Sequence, residues 1–430
     1  MELSEGERIL RRGVDQLLER SIGKMKKIVI FGAGNIGRSF TGQLFSRSGY
    51  EVVFVDIDDV IVNALNEKRK YRVEIRDIRP ETIWVENARA VHGRDTEKVS
   101  EEIATADVMA TAVGPSNLPH IYGNIAKGLL RRLKLGTGPI DIIICENVRA
   151  ASRIFKQGLS RNLPSDYPLD SMVGPVETSI GKMVPIMSEK ERRRDPLLVY
   201  AEAYNTLIVD KKGFRKDVPE VEGLEPKENM ASYVDRKLFI HNLGHAITAY
   251  LGYISDPEMK YIWEAIDEKD IRKAVESAMW ESGRALISEY PQEFREESLG
   301  DHIEDLIRRF GNRALGDTIH RVGRDIPRKL SRNDRLIGAL LLDAKHSIPA
   351  PCTTLGVAAA TLFRARDENG ELYKKDRVFV EETYPRGIDC ILRQICGLHF
   401  VKEKTLVESI KETYESLVRD PKNWRLWLNR

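Results

Sequence analysis

The sequence predicts an α/β protein in which a doubly wound parallel sheet is followed by an all-α C-terminal domain. Three observations predict it. Short apolar runs alternate with helical stretches over residues 26–145, a glycine turn follows the first run, and beyond Pro226 helical periodicity recurs at almost every step. At 430 residues the chain is longer than one core ordinarily supports, so two domains fit its length.

The elements follow in order. Ile9, Val14, Leu17, Leu18 and Ile22 fall roughly on one helical face, so residues 1–24 read as a docking extension. Ile28, Val29, Ile30 and Phe31 form an unbroken apolar run, as a strand buried on both faces requires. Gly32-Ala33-Gly34-Asn35-Ile36-Gly37 then leads into a helical stretch through Phe40 and Leu44. A second strand, 51–56, ends in an acid, and a second helix begins at Val60. Apolar runs at 108–113 and 140–145 flank a helical segment at 121–133, and 198–209 is one further β-like stretch. Residues 218–226 are rich in proline and acid and read as a linker, dividing the chain into domains at 25–226 and 227–430. Helical patterns then occupy 230–254, 267–290, 302–310, 335–344, 354–363 and 406–418.

Lys plus Arg number 68 and Asp plus Glu 66, and the net charge of +2 gives no sign of a nucleic-acid or membrane-surface partner. No stretch approaches the ~20 apolar residues that span a bilayer, and the N-terminus lacks a signal-peptide core. Four cysteines without a CxxC pair suit a reducing, cytoplasmic home.

Gly32, Gly34 and Gly37 form GxGxxG directly after a strand and at the start of a helix, the Rossmann-type context that gives the motif meaning. Gly32 permits the tight turn, Gly34 lets a pyrophosphate approach the backbone, and Gly37 lets helix and strand pack closely. Asp56 closes the second strand 19 residues after Gly37, where its carboxylate can take both ribose hydroxyls. With Asp58 and Asp59 it repels a 2′-phosphate, so the expected cofactor is NAD.

Lys237, Asn242 and His245 read K-x4-N-xx-H on the first helix after the linker, within an arc of roughly 140° on a regular helix. A lysine can serve as base for an alcohol if burial or neighbouring cations bring its pKa from ~10.4 toward neutrality, while amides stabilise the developing alkoxide. A solvated lysine beside two polar helix residues is the alternative. His241 and His245, at i and i+4, have metal-binding spacing but no HExxH glutamate or tight cysteine pair beside them, so no metal is expected. Arg321, Arg324, Arg328 and Lys329 cluster around Pro327, either as a cleft for phosphate or carboxylate or as a solvated basic loop.

These motifs together resemble the polyol-specific long-chain dehydrogenases, the mannitol dehydrogenase family. The resemblance lies in FGAGNIGR (Phe31 to Arg38), TAVGP (Thr111 to Pro115), CEN (Cys145 to Asn147) and RKLFxxNxGHAITAYLG (Arg236 to Gly252). It continues in RVGRxxxRKLS (Arg321 to Ser331) and DRLI (Asp334 to Ile337). It implies a metal-free NAD enzyme acting on a small polyol or sugar phosphate. Mannitol 1-phosphate and fructose 6-phosphate are the leading pair, and a free hexitol or a hexuronate is the alternative. A non-catalytic NAD-sensing module is the reading from another class. By resemblance Lys237 is the acid/base, Asn147 and Asn242 stabilise the oxyanion, His245 contacts substrate, and Arg321 and Lys329 bind it. Asn35 and Ile36 in the glycine turn, with Thr111 and Val113, complete the cofactor contacts. Where members read VDRxxP, this chain reads Ile180-Gly181-Lys182-Met183-Val184-Pro185. Residues before Met25 and the tail after Val418, with Trp424 and Trp427, lie outside the resemblance.

Overall fold

A computed structural model describes residues 25–429 apart from 186 and 188, and the extension expected before Met25 lies outside the described residues. The described strands are β1 (Lys27–Phe31), β2 (Glu51–Asp56), β3 (Tyr71–Ile75), β4 (Glu81–Val85), β5 (Ala88–His92) and β6 (Val108–Thr111), then β7 (Ile140–Ile144), β8 (Val173–Ile180), β9 (Val199–Ala201), β10 (Leu207–Asp210) and β11 (Leu224–Lys227). The main sheet has the order β11-β10-β8-β7-β6-β1-β2-β5, and a small sheet has the order β4-β3-β9. Pairing is parallel from β8 across to β5, whereas β10 runs antiparallel to β8.

In β1 every residue after Lys27 is buried, and β7 is buried throughout. Such strands need cover on both faces. Phe40, Leu44, Val62 and Leu65 pack on one face with the small sheet, while Leu118, Ile125 and Phe155 from other helices pack on the opposite face. Because β2 lies on one side of β1 and β6 on the other, the strand order reverses there, which opens a crevice at the carboxyl ends of the strands.

The structure departs from the expected pattern at several places, among them strands β5 and β8 of the main sheet, which were not expected. The stretch 198–209 is two strands in different sheets, β9 and β10, separated by Glu202, Tyr204 and Asn205, whose side chains are used at the domain interface. The expected linker ends in β11, whose Pro226 is tolerated because β11 is an edge strand and needs no second ladder donor. The β3–β4 hairpin was not expected, although Arg72 and Glu74 alternate with buried Tyr71, Val73 and Ile75 in the period of a half-buried strand.

Beyond Lys227 the described elements are helical, apart from an isolated bridge between Tyr261 and Thr318. Met230–Arg236, Lys237–His241 and Asn242–Ser255 run as one continuous helix, and the middle segment is a π-helical turn in which the Asn242 N–H donates to the Lys237 carbonyl. That i→i+5 turn changes the expected projection. Residue 242 falls more nearly above residue 237 than the 140° arc of a regular helix allows. Trp424 and Trp427, on the 3₁₀ segment Pro421–Asn429, are buried in the core of this domain. All four cysteines are free thiols. Among the described residues no helix is long and apolar enough to cross a membrane.

Candidate functional site

The crevice at the β1/β6 switch is a cavity of about 350 Å³. Gly32 sits at φ +97°, and a Cβ there would meet the Ala112 carbonyl oxygen at 2.6 Å. A Cβ on Gly37 would strike the Gly32 carbonyl oxygen. These two glycines are demanded by the turn itself. Gly34 differs, because a Cβ there would find no heavy atom within 4 Å. Its bare backbone serves no internal packing and leaves room for an anion at a helix start, where free N–H groups favour phosphate. Gly34 and Asn35 are exposed and Ile36 is half-buried.

Asp56 lines the crevice, and its Oδ2 accepts the Ala33 N–H at 2.6 Å while Oδ1 accepts those of Ile57 (2.7 Å) and Asp58 (3.0 Å). The carboxylate therefore pins the glycine turn as well as facing the space a ribose would fill. Val113 also lines the crevice, but Thr111 does not: its buried hydroxyl donates to Glu146 at 2.5 Å. Residue type alone did not reveal Asn117, His120 and Asn124, which complete the wall. The open cradle at Gly34, the helix start and the carboxylate at Asp56 fit NAD. Asp56→Ala is expected to weaken both cofactors through the turn, and NADP less than NAD, so that the NAD/NADP ratio of kcat/KM narrows. An unmodified protein with equal kcat/KM for both would overturn the assignment.

A second cavity of about 210 Å³ lies where the loop after β7 faces helix 230–255. Asn147, Lys237 and Asn242 all line it. The Lys237 Nζ donates to Asn147 Oδ1 at 2.6 Å, joining residues 90 apart in sequence. Burial, with Arg335 and Arg328 against Asp334, lowers the Lys237 pKa to about 7. The π turn supplies the remaining geometry by bringing Asn242 over Lys237. Arg149 closes one side by pairing with Asp235, which also accepts the Tyr290 hydroxyl at 2.7 Å.

Glu146, noted in the sequence only within the CEN motif and given no role there, also lines this cavity. It binds the Thr111 hydroxyl and, at 3.1 Å, the Val113 N–H, so one carboxylate braces the walls of both cavities. Burial raises its pKa, against the hydrogen bonds it accepts.

Three candidates stand back from this cavity wall. His245 stacks on Phe310 with 4.8 Å between ring centroids, and its Nε2 lies 3.2 Å from Asp317 Oδ2. Arg321 donates from Nε to the other oxygen of Asp317 at 2.5 Å. Lys329 is buried, and its ammonium is held by the carbonyls of Val322 and Arg324. Asp317 thus ties His245 to Arg321, and the contacts with that imidazole and that guanidinium hold its carboxyl below the usual range despite burial. Burial lowers the pKa of His245 and, more strongly, that of His241. The His241 and His245 ring centroids are 6.2 Å apart. Among the described residues no group of three or more His, Cys, Asp or Glu side chains is placed to hold a metal ion.

Comparison with known proteins covers both halves of the chain. The family model for the mannitol dehydrogenase Rossmann domain matches residues 26–223, and that for the mannitol dehydrogenase C-terminal domain matches 229–418. A mannitol-1-phosphate 5-dehydrogenase of Brevibacillus brevis is 39% identical over 338 residues, 78% of this chain and 85% of that protein. One from Geobacillus stearothermophilus is 36% identical over 395 residues, 90% of this chain and 99% of that protein. In fold the chain is similar to the Pseudomonas fluorescens mannitol 2-dehydrogenase in a ternary complex with NAD and D-mannitol, with TM-score 0.70 and 15% identity over 95% of this chain and 94% of that one. It is likewise similar to a substrate-free D-sorbitol dehydrogenase, with TM-score 0.74 and 15% identity over 94% of this chain and 95% of that one. With matches to both domain models and identities above a third over most of its length, this chain belongs to the mannitol dehydrogenase family.

Proposed function

We propose that this chain is an NAD-dependent oxidoreductase that interconverts mannitol 1-phosphate and fructose 6-phosphate. The observation that carries the reading is Lys237, lowered to about 7 and hydrogen-bonded to Asn147 inside the cleft between the strand ends and helix 230–255. The relatives named for this activity support the choice of substrate.

In the oxidative direction neutral Lys237 accepts the proton of the substrate's secondary hydroxyl at Nζ. Asn147, whose Oδ1 is turned to Lys237, keeps its Nδ2 donors for the oxygen that becomes the alkoxide, and Asn242 adds its own amide from the turn above. NAD, when bound, supplies the hydride acceptor. In the reverse direction Lys237 returns the proton, so one group near neutrality serves both. His245 acts through the Asp317 and Arg321 contacts that fix the next turn of the helix.

The departure at Gly181 and Lys182 does not favour a free hexitol or a hexuronate. The Lys182 ammonium is buried, donates to Asn205 at 2.9 Å, and is absent from the wall of the catalytic cavity. The discriminating experiment follows NADH consumption with fructose 6-phosphate, fructose, tagaturonate and fructuronate side by side. Fructose 6-phosphate is expected to exceed the others in kcat/KM by a large factor, and comparable turnover of fructose or a hexuronate would overturn the assignment.

A further inference from the structure

Arg328 and Arg335 both line the cavity that holds Lys237, and they come from opposite sides of the turn after the short helix Ile326–Lys329. Asp334 stands between them. Its Oδ1 accepts Arg335 Nε at 2.7 Å and its Oδ2 accepts Arg328 Nη1 at 3.2 Å, while Asp325 takes Arg328 Nε at 2.6 Å. Each guanidinium carries five N–H donors. Among the described residues neither Arg335 Nη1 nor Nη2 has a hydrogen-bond partner, and Arg328 Nη2 has none. One carboxylate therefore grips both arginines by their inner edges and leaves the outer edges for the cavity. Asn333, also on the wall, adds an amide. Arg321 and Lys329 offer less, being engaged by Asp317 and by two backbone carbonyls.

We propose that Arg328 and Arg335, splayed by Asp334, are the subsite that receives the substrate's phosphate. This rests on the phosphorylated substrate proposed above. A carboxylate is satisfied by one guanidinium fork, whereas a phosphate dianion presents three oxygens and takes two forks, so the pair selects phosphate over a hexuronate. Asp334 is a positioning residue in this arrangement and touches no substrate.

The test compares kcat/KM for fructose 6-phosphate and fructose in the full chain, in Arg335→Met, in Arg328→Met and in Arg321→Met, with inorganic phosphate as a competitor. Each substitution at 335 or 328 is expected to lower the fructose 6-phosphate to fructose ratio about ten- to hundredfold and to raise the Ki of inorganic phosphate. Arg328 is half-exposed, so Arg328→Met carries the test if Arg335→Met folds poorly. A large ratio in the unmodified enzyme that survives in the Arg328 and Arg335 variants, or collapses only in Arg321→Met, overturns the subsite and leaves the substrate intact. A ratio near one in the unmodified enzyme, or preference for fructuronate or tagaturonate, overturns both.

Discussion

Lys237→Ala is expected to lose about 10²- to 10⁴-fold in kcat, the usual contribution of a positioned acid/base, while NAD binding measured by fluorescence stays intact. The pH profile gives a second signature. Oxidation needs the neutral amine and so rises through about pH 7 to a plateau, whereas reduction needs the ammonium and falls as pH rises through the same point. Both inflections are expected to vanish in the variant. Activity retained by Lys237→Ala with the best substrate would require another base. The prediction is sharp because the lowered value has a physical source in the structure, burial reinforced by Arg335 and Arg328, and does not depend on the residue being lysine alone.

The second large effect concerns the interface between the sheet and the helices. Arg309, on Glu296–Phe310, is buried and donates from Nε and Nη2 to both oxygens of Glu202 (2.8 and 2.6 Å) and from Nη2 to the Gly181 carbonyl at 2.5 Å. Tyr204 lies against the guanidinium at 4.4 Å from ring centroid to Cζ. Arg309→Met leaves Glu202 buried without its cation, and breaking such a pair costs about 3–5 kcal/mol. Urea unfolding is expected to show that loss, and a double substitution with Glu202→Gln is expected to recover part of it. A midpoint unchanged in Arg309→Met would mean that the pair adds nothing to the docking of the two halves.

The sequence made the nucleotide end legible because its chemistry is local. Gly32, Gly34, Gly37 and Asp56 act through a strand–turn–helix unit whose geometry follows from spacing. Lys237 and Asn242 were legible as residues on one helix, but their true relation was not, since a π turn leaves no mark in a hydrophobic pattern. Asp334 and Arg335 were visible only as part of a motif. Their meaning depends on a loop that turns at Asp325 with φ +68° and faces the distant Asn147. Glu146 was missed for a similar reason: its partners Thr111 and Val113 lie on the neighbouring strand and beyond it, and only sheet register brings them together. The Glu202 and Arg309 pair, 107 residues apart, is likewise a product of domain packing.

The π turn at Lys237–His241 holds one more residue than a regular turn between two fixed helical ends. Removing any one residue between Lys237 and Asn242 would restore uniform winding with those two residues four apart, about 40° from each other around the axis, so the segments on either side of the cut would keep their relation. Lys237 would stay over its amide partner and the buried face of Asn242–Ser255 would keep its place, whereas the full sequence rewound as a regular helix would turn Lys237 about 140° away from Asn242. The alignment of the proposed acid/base and oxyanion donor therefore depends on the turn absorbing an extra residue, and a single-residue deletion there would remove the bulge and keep the alignment. A lineage could therefore gain or lose one residue here with the alignment intact, because the winding of the turn takes up the difference in length.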